Sequence, residues 1–295
     1  MDALSTVLQQ VINAIQLSSA YALIAVGYTM VYGVLKLINF AHADIFMVGA
    51  YVSYFVYQWI KAPFLVCLGA SMIFCALLAV LIERIAYKPL RNAPRLSVLI
   101  TAIGVSLTLE HGTRATIGPE YRPFPEILPK ITHQFGGVYI TEAMFWALLT
   151  SVVLMGILTY IVRYTYLGKA MRAVSFDKEA AMLMGINIDR VITFTFALGA
   201  AEAGAAGVVW GLAYPMIDPY MGMIPGIKGF VAAVVGGIGS VPGALAGSFI
   251  IGTVETATAA VLPSMYRDAI SFAILALVLI VRPTGIFGIG SVEKV

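Results

Sequence analysis

The stretch Arg163-Tyr-Thr-Tyr-Leu-Gly-Lys-Ala-Met-Arg-Ala-Val-Ser-Phe-Asp-Lys-Glu-Ala-Ala-Met-Leu-Met-Gly-Ile-Asn-Ile-Asp-Arg190 is a polar, basic island between two long apolar runs. Ser175 is placed to serve as an N-cap, and Asp177 and Glu179 then fall in a first helical turn, where the helix dipole favours carboxylates. Gly185 stands where a left-handed residue would end the helix. The spacing predicts a helix of about two to three turns. Phe176, Ala180, Leu183 and Met184 share one side of it, an apolar face with nothing in its own loop to cover it. A partner protein is the natural occupant.

Outside this island the chain is strongly apolar. Of 295 residues 60% are hydrophobic and 11% charged, whereas soluble domains carry about 25% charged residues. Crossing a bilayer takes about 20 apolar residues of helix, and the qualifying runs are 10–34, 43–60, 64–87, 96–117, 141–162, 191–214, 226–239, 243–262 and 267–282. The run 226–239 is short enough to be a broken or re-entrant helix, which sets the expectation at about eight to ten crossings. The fold class is therefore an all-α polytopic membrane protein, one transmembrane domain over 1–295 with 163–190 as a cytoplasmic coupling loop. Met1–Gln16 has no lysine or arginine, unlike a cleavable leader, so the first apolar segment is expected to stay. Cys67 and Cys75, in one run, read as small apolar side chains.

Lysine and arginine in short loops set orientation. Lys88, Arg91 and Arg95 lie between the third and fourth runs, and Arg163, Lys169, Arg172, Lys178 and Arg190 between the fifth and sixth. Two runs separate these loops, so they share a side, and the rule makes that side cytoplasmic. Lys36 falls there too. Counting back puts the N-terminus outside, and counting forward puts the tail Arg282–Val295 inside if 226–239 crosses completely. The outer side then carries Ile117–Ile140, where Pro119, Pro123, Pro125 and Pro129 exclude a long helix; the segment also holds a Gly136–Gly137 pair. It is either a connection or a docking surface for an external partner.

Two segments interrupt the smooth helical pattern. Gly27, Gly33, Asn39, His42 and Asp44 break up 27–51, and a series of prolines and glycines from Pro215 to Gly247 breaks up 214–247. Interrupted hydrophobic segments in two halves of a transporter point to a midplane site built from broken helices. No internal repeat supports a symmetry. The run Gly236–Gly247 reads as close helix packing and a tight turn.

Chemistry-bearing residues are few. No Gly-x-x-x-x-Gly-Lys-Ser/Thr loop occurs, so the chain cannot use ATP in that manner by itself. His42, His111 and His133 are scattered without metal-ligand spacing, and no nucleophilic triad is indicated. Glu83 and Arg84 are near a span end and can snorkel to water; Glu110 and His111 lie toward the opposite end of the next run. Glu202 and Glu255 fall mid-run, where ionisable groups are costly, and either line a pathway or lock helices together.

These residues bear a family resemblance. Tyr28–Tyr51, with Asn39, His42 and Asp44 inside it, resembles the signature of membrane permease subunits of branched-chain amino-acid ATP-binding cassette importers, the LivH type. Gly168-Lys-Ala-Met-Arg-Ala173 with Met184-Gly-Ile-Asn187, the run Gly236–Gly247, and Arg282-Pro-Thr-Gly-Ile-Phe-Gly288 agree with it, in order, over essentially the whole chain. One departure is Ala43, where the family usually has glycine. Glu179-Ala-Ala-Met-Leu-Met-Gly185 is similar to the short pattern by which importer permeases dock their ATPase.

The resemblance implies a non-enzymatic translocation subunit in the bilayer, needing no cofactor and binding no nucleic acid. It implies a homologous second permease subunit, two ATPase subunits and an extracytoplasmic substrate-binding protein. Phe176, Asp177, Glu179, Ala180, Leu183, Met184 and Gly185 would couple to the ATPase, while Asn39, His42 and Asp44 would shape the pathway. Permeases for urea and short amides look alike. The competing class is a stand-alone carrier driven by an ion gradient through Glu202 or Glu255.

Overall fold

The structure is a computed structural model describing residues 3–91, 93–135 and 137–288. Gly136 and the end of the expected Arg282–Val295 tail, 289–295, lie outside the described residues. The chain forms α1 (Ala3–Leu35), α2 (His42–Ile60), α3 (Phe64–Ile82), α4 (Arg95–Ile117), β1 (Arg122–Pro123), β2 (Thr132–Phe135), β3 (Val138–Thr141) and α5 (Glu142–Tyr164). There follow α6 (Tyr166–Phe176), α7 (Lys178–Leu183), α8 (Ile188–Ala213), β4 (Met216–Ile217), α9 (Met223–Gly236), α10 (Val241–Val261) and α11 (Tyr266–Val281). All nine apolar runs are helices. Six of the described helices are long and apolar enough to cross a membrane, namely α1, α3, α4, α5, α8 and α10; α2, α9 and α11 accompany them as less apolar or shorter helices. The protein is an all-α polytopic membrane protein.

Helix α1 is the axis of the bundle. It is buried over most of its length against α10, α8, α9 and α5, its polar side chains Gln9, Gln10, Asn13 and Gln16 being gathered in its N-terminal half. Helix α8 is the second buried pillar, and its small residues allow that. A Cβ on Gly207 would lie 2.2 Å from the carbonyl oxygen of Phe46, so α2 and α8 touch backbone to backbone. Ser71 on α3 sits beside that seam, its Oγ 2.9 Å from the Gly49 carbonyl and 3.0 Å from that of Gly204, donating to one at a time. Cys67 and Cys75 are buried free thiols. Helix α4, by contrast, leaves most of its surface uncovered.

The Gly236–Gly247 run makes the α9–α10 turn. Gly237 and Gly239 have φ of +109° and +97°, a region closed to most side chains. The segment after α11 returns to this turn, where Ile286 N–H donates to Val235 and Phe287 N–H to Gly236. On the opposite end of the bundle the proline-rich connection makes no helix. Its β2 and β3 form a hairpin, and β1 pairs antiparallel with β4 from the α8–α9 connection.

The basic loops share one face. Lys88 reaches Asp189 at 2.7 Å and Arg91 pairs with the same carboxylate. Glu83 is not a snorkelling residue. A π turn over Glu83–Tyr87 carries it inward, fully buried, to pair with Arg91 and to accept from Thr193 Oγ1 at 2.9 Å. Arg84 beside it stays exposed.

Candidate functional site

Three groups of residues stand out from this packing, and they differ in how they are held. The first is the island. Thr165 caps α6, its hydroxyl accepting from Gly168 N–H at 3.1 Å, and α6 buries Gly168, Ala170, Met171 and Val174 against the bundle. Ser175 is inside α6 and caps nothing: its Oγ donates to the Gly33 carbonyl at 2.5 Å, tying α6 to the end of α1. The cap of α7 is Asp177, whose Oδ1 accepts from Ala180 N–H at 3.0 Å. Helix α7 is thus six residues, shorter than the spacing predicts, because Phe176 closes α6 instead of opening α7. Gly185 follows with φ +80°, ending the turn. Of α7 only Ala181 is buried; Glu179 and Ala180 are exposed, and Phe176, Leu183 and Met184 are 89%, 88% and 82% exposed.

This exposed turn is wired to the bundle. Asn187 caps α8, accepting from Arg190 N–H at 3.0 Å, and Asp189 in the first turn of α8 receives Lys88 and Arg91. Arg91 in turn reaches Glu83 at the end of α3. One guanidinium therefore links the start of α8 to the end of α3.

The second group is the broken-helix junction. After α1 the chain turns at Lys36, a non-glycine residue with φ +57°, and runs back alongside the helix it has left. His42 opens α2 against Gly27, about two turns before the end of α1; a Cβ on Gly27 would lie 2.2 Å from His42 Nε2. The imidazole packs on Tyr28, ring centres 4.7 Å apart. Asn39 is buried and its Oδ1 accepts from Tyr87 Oη at 2.6 Å. Asp44 is buried in the first turn of α2, and its Oδ2 has no hydrogen-bond partner. The second interrupted segment arrives at the same place. Cβ atoms on Gly222 and Gly226 would lie 2.3 Å from the Ala43 carbonyl oxygen and 2.2 Å from the Ala43 Cβ. The two interruptions, far apart in sequence, are thus in contact through Ala43.

The third group is a buried charge cluster. Lys228 on α9 lies 2.7 Å from Glu255 on α10 and 2.7 Å from Asp268 on α11, while Tyr21 on α1 donates to Glu255 at 2.8 Å. Lysine and glutamate are both nearly inaccessible, which in a membrane demands such pairing. The cluster ties four helices together, and Glu255 also borders a polar cavity of about 370 Å³ with Gln10, Asn13, Gln16, Tyr214 and Arg267. Glu202 joins none of the three groups: it is buried in α8, and its Oε2 has no hydrogen-bond partner.

Lys228 and Tyr21 are residues that sequence reasoning left out, and Arg91 entered it only as a marker of orientation. Lys228 did carry a signal, as a lysine inside an apolar run that must have an acidic partner at its depth. Among the described residues, no group of three His, Cys, Asp or Glu side chains is placed to hold a metal ion.

Comparison with known proteins places this arrangement. The family model "branched-chain amino acid transport system / permease component" matches residues 10–279. The high-affinity branched-chain amino acid transport system permease protein LivH of Salmonella typhimurium is 43% identical over 98% of this chain and 97% of its own. The corresponding BraD of Pseudomonas aeruginosa is 39% identical over 98% of each. Among solved structures, PsaBC from Streptococcus pneumoniae shares the fold, with a TM-score of 0.50 at 10% identity over 92% of this chain and 91% of that one. By the family model and these relatives, the chain belongs to the permease components of branched-chain amino acid transport systems.

Proposed function

We propose that the chain is the translocation subunit of an importer for branched-chain amino acids, driven by separate ATPase subunits and supplied by an external binding protein. The observation that carries the ATPase coupling is α7 with its flanks. It is a short turn fixed at both ends by Asp177 and Gly185, and it offers Phe176, Leu183 and Met184 to solvent. Three large apolar side chains on a basic face are costly unless a partner covers them. Since the chain has no phosphate loop, an ATPase supplying the power stroke is the partner of matching chemistry.

A push on α7 has two routes into the bundle. One runs through Asp189, Arg91 and Glu83 to α3 and α8. The other runs through α6 and the Ser175–Gly33 bond to the end of α1, next to the broken junction. ATP binding would draw the coupled turns together and reorient these helices, and hydrolysis would reset them. A homologous second permease would cover the helices that this chain leaves bare, α4 above all.

The α7 face is taken as cytoplasmic, with the N-terminus outside. Lys130→Cys and Lys178→Cys test this with a membrane-impermeant maleimide on right-side-out vesicles, since both native cysteines are buried. Labelling at 130 alone is expected; labelling at 178 alone would invert the topology. Reconstitution tests the function. The complete complex should import leucine with ATP, and Glu179→Arg or Gly185→Val should lower ATPase co-purification or uncouple hydrolysis from uptake. Uptake by this chain without ATPase and binding protein would overturn the importer reading in favour of a stand-alone carrier.

A further inference from the structure

The junction at Ala43 borders a half-open cavity of about 500 Å³ lined by α1, α2, α4, α9 and α11. That is within the range of small-ligand sites, about 300–1,000 Å³. Its wall is largely apolar, with Phe40, Ile103, Leu107, Ile227 and Phe230 in it, and its polar groups are Asp44, Ser106 and Glu110. No lysine, arginine or histidine lines it. Asp44 is 1% exposed and its Oδ2 is unpartnered. Two carboxyl groups facing one apolar space repel each other when ionised, and a cation between them removes the repulsion.

Met223, the first residue of α9, also lines the cavity, and α9 begins at Gly222 without a capping side chain. Met223 N–H donates to the Tyr220 carbonyl at 3.0 Å and Pro225 has no N–H, so this helix end adds little for an anionic group. An apolar chamber with an acidic corner matches an aliphatic side chain beside an ammonium. Tyr28 and Ala43 belong to the same wall, so the chamber's shape depends on the contact of the two broken segments.

We propose that this cavity is a transit site for the imported amino acid, with Asp44 and Glu110 holding its ammonium and Phe40, Ile103, Leu107 and Ile227 receiving its branched side chain. The proposal rests on the importer reading above and assigns that reading a substrate-contacting site within this subunit. Helices α4 and α11, which form one side of the cavity, leave much of their own surface bare. A second permease could therefore complete the enclosure.

The test uses the complete importer in proteoliposomes and a diazirine analogue of leucine, illuminated during ATP-driven uptake. Label is expected on peptides containing Ile103 and Leu107 or Ile227 and Phe230. Asp44→Asn should lower both labelling and leucine uptake by about tenfold or more, the loss of a charge-assisted contact. Asp44→Glu should restore uptake in large part. If Asp44→Asn does not assemble, Glu110→Gln and Leu107→Trp replace it, the latter filling the chamber from the little-packed α4; each should lower labelling at unchanged complex yield. Undiminished labelling in these variants, or label confined to other helices, overturns the site and leaves the importer standing. Absence of ATP-driven leucine uptake by the wild-type complex overturns the importer reading itself.

Discussion

The exposed face around α7 and the junction around Ala43 are both polar interruptions of an apolar chain, yet they are held in opposite ways. At α7 the hydrogen bonds are local, Asp177 to Ala180 and Asn187 to Arg190, and the large side chains point to solvent. At the junction the contacts join residues distant in sequence, and Asn39, His42 and Asp44 are buried. The difference separates a locally held, exposed surface, the one proposed above to meet the ATPase, from a scaffold shaped for the bundle itself. Substitutions should separate them in the same way, costing fold stability at the junction and its neighbouring charge cluster, and partner binding at α7.

The largest loss of stability is expected from Lys228→Met. It leaves Glu255 buried with only Tyr21 as partner, and breaking a buried ion pair costs about 3–5 kcal/mol. Thermal unfolding in detergent should show a clear drop, and the double variant Lys228→Met with Glu255→Gln should recover much of it. A double variant no better than the single would show that the pair is not the source of the loss. Next comes Gly27→Leu, which drives a side chain into the space of His42; overpacking costs about 1–3 kcal/mol. A variant of wild-type stability would mean that His42 has room to move and that the junction is softer than its packing.

How far these two regions can be read from sequence follows from the same contrast. The nine apolar runs became helices because length and hydrophobicity act locally, and the exposed face of Phe176, Leu183 and Met184 was visible for the same reason. Ser175 reads as a cap from its neighbours alone, because its actual partner, the Gly33 carbonyl, is 142 residues away. Glu83 looked like a snorkelling residue until the π turn swung it inward to Arg91. Glycines and prolines marked both interrupted segments, but no local pattern says that Ala43 touches Gly222 and Gly226. The acidic corner of Asp44 and Glu110 likewise needed α2 and α4 side by side.

A smaller effect is expected at the cap of α7. Asp177→Ala removes the one side-chain bond to Ala180 N–H, and losing such a cap costs about 0.5–2 kcal/mol. Because α7 buries only Ala181, the loss should loosen this turn without lowering the unfolding temperature of the bundle. Faster amide exchange confined to 178–185, read by mass spectrometry, is the expected result. A fall in global stability would place α7 inside the cooperative core and erase the contrast.

The smallest change in stability, and the sharpest test of the comparison, belongs to Leu183→Ser and Met184→Ser. Both side chains are more than four-fifths exposed, so the isolated subunit should stay within about 0.5 kcal/mol of wild type, as surface substitutions usually do. Covering such a side chain in a partner groove is worth about 1.5–3 kcal/mol, so each variant should weaken ATPase binding by about tenfold or more. Titrating the ATPase onto the purified subunit reads that loss directly. Phe176→Ser divides the surface further. It ends α6, one residue before the cap of α7, so an equal loss of binding would place the groove across both helices. Unchanged binding would confine it to α7.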